Sequence, residues 1–134
     1  MALTQRPDRR DVLYFLGGGA LLAAGLGQAC AAETRISRLI IEAQSKGSIS
    51  EKIDFISGAL RGTRYLGYTL IGGPQRPEQF TVRDDGFDCV TFCETVLAAA
   101  RAESHDRFDS VLKTIRYHGG VVSWHERNHY FFEW

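Results

Sequence analysis

The pattern of apolar and polar positions splits the chain into two unlike stretches. From Val12 to Leu26 runs an almost unbroken apolar series of fifteen residues, preceded by Arg9-Arg10 and followed by Ala29-Cys30-Ala31-Ala32. A positively charged start, a short apolar middle and a small-residue site are the three parts of a secretory signal, and paired arginines point to the twin-arginine route. The pattern is imperfect, because Asp8 stands where Ser or Thr is usual and Val12, two places after the second arginine, where Phe is usual. A membrane span needs about 20 apolar residues. This run is shorter and is diluted by Gly17, Gly18, Gly19 and Gly25, so residues 1–32 are expected to be cleaved, leaving residues 33–134 with no stable membrane span. A lipid-anchored reading through Cys30 is weaker, since Gly27 stands where that motif wants Leu.

Beyond the signal the spacing becomes periodic. Ile36, Leu39, Ile40 and Ala43 recur at i, i+3, i+4 and i+7, which predicts an amphipathic helix over Thr34 to Lys46, ended by Gly47. Ser48 and Glu51 read as a capping box for a second helix that buries Ile53, Ile56 and Leu60 and stops near Gly62. Tyr65 to Thr81 holds Gly67, Gly72, Gly73, Pro74 and Pro77 and reads as an extended loop. A short strand is expected over Gln79 to Arg83, closed by an Asp84-Asp85-Gly86 turn. Val90, Phe92, Cys93, Val96, Leu97 and Ala100 predict a buried central helix over Cys89 to Ala102, with Asp88 as its N-cap. Phe108, Val111, Leu112 and Ile115 mark another helix. After Gly119-Gly120, the β-branched and aromatic residues of Val121 to Trp134 predict strand. Four helices and a barely begun sheet suggest an incomplete α+β domain.

Charge and cysteine count narrow the chemistry. The chain has 16 basic and 16 acidic residues. Loss of Arg6, Arg9, Arg10, Asp8 and Asp11 with the signal leaves 13 and 14, a net charge of −1. That balance lacks the basic stripe a nucleic-acid partner requires. Of the three cysteines, only Cys89 and Cys93 would remain. Four apart on a helix, their Cβ atoms are about 5–6 Å apart, whereas a disulfide needs about 4 Å. Two thiols are expected.

Cys89 is the strongest candidate for chemistry. A thiol attacks as its thiolate, which unpaired amides at a helix N-terminus favour, and the same amides can hold a developing oxyanion. A buried structural cysteine remains the alternative from spacing alone. Cys93, one turn deeper, reads as core. His125-Glu126-Arg127-Asn128-His129 satisfies H-E-x-x-H, the pattern of zinc proteases, but that chemistry needs a helix. In a strand, residues four apart lie about 13 Å from each other, too far for one zinc. Asp84-Asp85 reads as a solvated turn rather than an acid pair. His105 is expected in a polar loop and His118 in a turn.

Gly86-Phe87-Asp88-Cys89-Val90-Thr91-Phe92-Cys93-Glu94-Thr95-Val96-Leu97-Ala98 resembles the nucleophile segment of the amidase-like family called domain of unknown function 1460. Three segments follow the resemblance in order: Leu66 to Leu70, Ile115 to Gly120, and Arg127 to Trp134. Cys93 departs from it, standing where the family usually has Val. The resemblance spans about Ile53 to Trp134. It implies a papain-like α+β fold, related to NlpC/P60 cell-wall hydrolases, and a periplasmic or secreted cysteine amidase acting on peptidoglycan. Cys89 would be its nucleophile and His129 a site residue, either the base or a polar neighbour of it. No metal or organic cofactor is implied. Partners would be the muropeptide substrate and, during export, the Tat translocase. Family members usually continue for a further hundred or so residues with a later histidine-bearing strand. A truncated, inactive relative or a wall-binding module is therefore the main alternative, with a zinc protease and a plain structural domain behind it.

Overall fold

The computed structural model describes residues 34–129. The signal expected over residues 1–32 and the last part of the expected strand, residues 130–134, lie outside the described residues. Among those described, no helix is long and apolar enough to cross a membrane.

The first helix, α1, spans Arg35–Ala43. Thr34 is its N-cap and accepts from the Ser37 amide, satisfying one of the donors that a helix start leaves open. The predicted apolar stripe is buried: Ile36, Leu39, Ile40 and Ala43 all face the core. The helix stops short of Lys46 because the Ser45 and Lys46 amides bond carbonyls three residues back, at Glu42 and Ala43, a tightened last turn. Helix α2, Ile49–Leu60, opens on the predicted capping box, with Ser48 and Glu51 reciprocally bonded. It buries Ile56 and Leu60, while Ile53 packs against the core half-buried.

The stretch read as loop contains the only sheet among the described residues. Strands β1 (Ile71–Gly73) and β2 (Arg76–Gln79) pair antiparallel around Pro74-Gln75. The strand predicted over Gln79 to Arg83 is therefore displaced, since β2 ends at Gln79. A proline sets the backbone for the turn, and Gly72 allows the close pairing. At Gly72, φ is +152°, and a Cβ would meet the Glu78 Cα at 2.9 Å. Only glycine fits there.

Helix α3, Cys89–Arg101, is central and packs against α1, α2 and α4; α4 spans His105–Arg116. Ala98, Ala99 and Ala100 are buried, and such small side chains let neighbouring helices approach closely. Phe108, Leu112 and Ile115 fill the facing side of α4. The buried face of α3 is not the purely apolar one predicted. Thr91, Glu94 and Thr95 are inside, whereas Val90, Phe92, Cys93 and Leu97 are half-buried.

The reason is a buried ion pair. Arg116 Nε donates to Glu94 Oε2 at 2.8 Å, with both side chains at most 3% exposed. A second Arg116 nitrogen donates to the Thr81 carbonyl at 2.6 Å, which ties the chain leaving the hairpin to the helices. Burial pushes the Glu94 carboxyl up, and Arg116 opposes that shift. The architecture is α+β, as expected, with four helices and an antiparallel hairpin.

Removing one member of a buried pair strands the other charge, a loss of about 3–5 kcal/mol. Glu94→Ala should lower stability by that amount in urea unfolding, and the double variant Glu94→Leu/Arg116→Leu should recover much of it. A Glu94→Ala loss below about 0.5 kcal/mol, the size of an ordinary surface change, would contradict this role.

Candidate active site

Cys89 is the first residue of α3 and is exposed. Its position follows from Asp88, the predicted N-cap, whose carboxylate accepts from the Thr91 amide at 2.8 Å and from the Thr91 hydroxyl at 2.9 Å. The Thr91 hydroxyl lies 3.0 Å from the Asp88 amide, which donates to it. This box fixes the first turn and uses the third helical amide. The amides of Cys89 and Val90 find no acceptor among the described residues. Such amides at a helix start can receive an anion beside the thiol.

The approach to Cys89 is clamped from one side. Tyr65 and Phe87 form a parallel bridge, in which the Leu66 amide donates to the Phe87 carbonyl at 2.9 Å. Gly86 permits this contact, because a Cβ there would stand 2.8 Å from the Leu66 Cβ. Phe87 is buried and meets Phe92 edge-on at 5.9 Å. The backbone leading into the helix is thereby fixed while the thiol stays open to solvent.

Cys93 differs from expectation. It is half-buried rather than core, and both thiols are free. Burial pushes the Cys93 thiol up, with smaller contributions from the nearby charges of Cys89 and Glu94.

The segment after α4 departs most from prediction. Instead of a strand from Val121, the chain forms 3-10 turns at His118–Gly120 and Trp124–Glu126. Gly119 and Gly120 have φ of 60° and 72°, the left-handed region where glycine is favoured. Asn128 then turns back onto α4: its amide donates to the Arg116 carbonyl and its side chain to the Ile115 carbonyl, both at 2.8 Å. Hydrogen bonds that a strand would give to a sheet go to the end of a helix. The Tyr117–Arg127 bridge is the one trace of pairing among the described residues here.

This geometry also corrects the H-E-x-x-H reading. His125 and Glu126 sit in a 3-10 turn, and Arg127 is extended at φ −68°, ψ 127°, so no helix sets the two imidazoles at one ligating spacing. His125 and His129 are exposed and each meets the Trp124 ring edge-on, with centroids 5.2 Å apart. Arg127 is drawn inward to Glu78, donating to Oε1 through Nε at 3.1 Å and through a terminal nitrogen at 2.6 Å. The Tyr117 hydroxyl donates to the same carboxylate at 2.9 Å. Glu78, Tyr117 and Arg127 form a buried cluster joining β2 to the segment that carries His129. Sequence reading missed it, although a glutamate in a Gly/Pro-rich stretch gave little signal.

Other candidates separate cleanly. Asp84 accepts from the Arg35 amide, whereas Asp85 is held by Arg83 and Arg64. Those two guanidiniums keep the Asp85 carboxyl below its ordinary value. The adjacent acids thus do different structural work and make no acid/base pair. His105 begins α4 rather than lying in a loop, and His118 is in the expected turn. An open cleft of about 460 Å³ is lined by the hairpin from Gly73 to Glu78 and by Val122 to His125; Cys89 does not line it. Among the described residues no hydrogen bond joins Cys89 to His129.

Four helices with an antiparallel hairpin, and an exposed thiol at the start of the central helix, define an α+β class with known counterparts. The model of the N-acetylmuramoyl-L-alanine amidase-like (AmiA-like) family matches residues 55–134, and the chain belongs to that family. Among solved structures it is similar to protein LPG0564 of Legionella pneumophila str. Philadelphia 1, which carries the DUF1460 family model. The two share 39% identity at a TM-score of 0.62, over 71% of this chain and 32% of that one. The chain thus spans about a third of the length of the protein it matches. No curated protein matches it.

Burial and the Glu78 carboxylate push the Tyr117 hydroxyl up to about 12. Because the folded value lies above the unfolded one, about 10, Tyr117 adds stability that is complete below pH 10 and lost as pH rises through 12. An ultraviolet titration of tyrosinate should show one group ionising near 12 that disappears in Tyr117→Phe. Full titration of every tyrosine near 10 would contradict the buried cluster.

Proposed function

We propose that the chain supplies the nucleophile-bearing part of a cysteine-dependent amide hydrolase whose substrate is peptidoglycan. Membership of the amidase-like family supports the reaction class and substrate. The observation that carries the reading is the exposed Cys89 at the start of α3, next to two amides that have no acceptor among the described residues.

The chemistry follows from that placement. The Cys89 sulfur attacks the amide carbonyl carbon, and the oxyanion that forms is held by the Cys89 and Val90 amides. The carbon–nitrogen bond breaks, the amine leaves with a proton, and water then cleaves the thioester. A histidine relays these protons. We assign that role to His129, held by the Trp124 ring and by the tether of Arg127, two residues away, to Glu78. The substrate lies outside the cytoplasm. This reading therefore includes export through the residue 1–32 signal by the Tat translocase to the periplasm or medium; an uncleaved cytoplasmic chain would contradict that part.

Purified muropeptides incubated with the full chain should be cleaved, with release of a free amine. Cys89→Ala should lower the rate by at least about 10³-fold, as loss of a nucleophile does, while circular dichroism stays unchanged. His129→Ala should fall by a factor of about 10²–10⁴. Chelators should leave the rate unaltered. Undiminished cleavage by Cys89→Ala would overturn the proposal, and binding without cleavage by the parent chain would favour a wall-binding module.

A further inference from the structure

An open cleft of about 390 Å³ lies between the end of α2 and the start of α3, lined by Asp54, Ser57, Gly58, Arg61 and Phe92. The first four recur at i, i+3, i+4 and i+7, so they share one helix face. The Arg61 amide donates to the Ser57 and Gly58 carbonyls at 3.0 and 3.3 Å, which keeps Arg61 on the helix end. Phe92 meets the buried Phe87 edge-on and also borders the cleft. It stands three residues after Cys89, a spacing that puts Cβ atoms about 5–6 Å apart on a helix. The cleft begins one turn from the thiol.

Gly58 has no steric reason to be glycine. It lies inside α2, where glycine is less favourable than alanine, and a Cβ there would meet nothing within 4 Å among the described residues. The missing side chain leaves the middle of the cleft unobstructed. Opposite charges, Asp54 and Arg61, stand at its two ends, and neither is in an ion pair among the described residues. Seven residues of helix set them about 10 Å apart, the span of roughly three extended residues. Between them the Ser57 hydroxyl donates to the Asp54 carbonyl at 3.2 Å, so its oxygen can accept an amide N–H.

We propose that this cleft binds the peptide arm of the muropeptide, a short chain carrying carboxylates and an amine. A carboxylate pairs with the Arg61 guanidinium, an amine turns toward Asp54, and apolar stem atoms lie on the Phe92 ring. Held there, the arm keeps its amide beside the Cys89 sulfur. The choice of ligand rests on the proposed substrate.

The full chain carrying Cys89→Ala, titrated calorimetrically with a disaccharide-tripeptide muropeptide, should bind it without cleaving it. Amidation of the peptide carboxylates and Arg61→Gln should each weaken binding by at least about tenfold, the size of one charge-assisted hydrogen bond. Together they should cost little more than either alone, because both remove one contact. Gly58→Met obstructs the cleft while improving helix propensity, so it should weaken binding similarly without lowering the urea midpoint. Should that variant fail to fold, the exposed Arg61→Gln decides. With Cys89 restored, both substitutions should raise KM rather than lower kcat. Equal affinity for the amidated ligand overturns the cleft. Binding that responds to both substitutions, without cleavage by the parent, upholds the cleft and rejects the hydrolase. Cleavage with a KM indifferent to both does the reverse, and no muropeptide binding at all overturns both.

Discussion

Arg116 is the charge on which the arrangement of the domain depends. Its guanidinium, buried at the end of α4, bonds Glu94 on α3 and the Thr81 carbonyl beyond the hairpin, and lies 5.6 Å from the centre of the Phe80 ring. Its backbone carbonyl accepts from Asn128. One residue thus connects the central helix, the hairpin exit and the segment carrying His129. A buried guanidinium is tolerable only when its donors are satisfied, so these partners constrain one another, and through α3 they constrain where Cys89 begins.

The helices and their caps were legible because their causes are local. Ile36, Leu39, Ile40 and Ala43 repeat with the helical period, and Ser48-Glu51 and Asp88 carry the chemistry of helix starts. The hairpin was not legible. Gly72, Gly73 and Pro74 signal a turn, but the pairing of Ile71 with Gln79 depends on a partner eight residues away. The β-rich composition of Val121 to Trp134 pointed to strand, yet in the described part Asn128 and Arg127 have stronger partners in the α4 carbonyls and Glu78. Tertiary contacts overrode propensity there. Glu94 within an apolar helix was the available sign of a buried pair, and the identity of its partner lay 22 residues further on.

The candidate site was legible in one half. Asp88 before Cys89 announced a capped helix start, and the structure places the thiol there, exposed and fixed by the Gly86–Leu66 approach. The histidine half depends on how distant segments meet. His129 is positioned through Trp124 and the Arg127–Glu78 tether, contacts no sequence interval encodes. Cys93, read as core, is half-buried and free.

Hydrolysis by this domain requires Cys89 to be its reachable, attacking sulfur. Competitive alkylation of the native chain by iodoacetamide near neutral pH, with each cysteine followed by peptide mass spectrometry, measures this directly. The account predicts that Cys89 is labelled well ahead of Cys93, and that unfolding in urea removes the difference. Equal labelling in the native state, or a Cys89 that reacts only after unfolding, would contradict it.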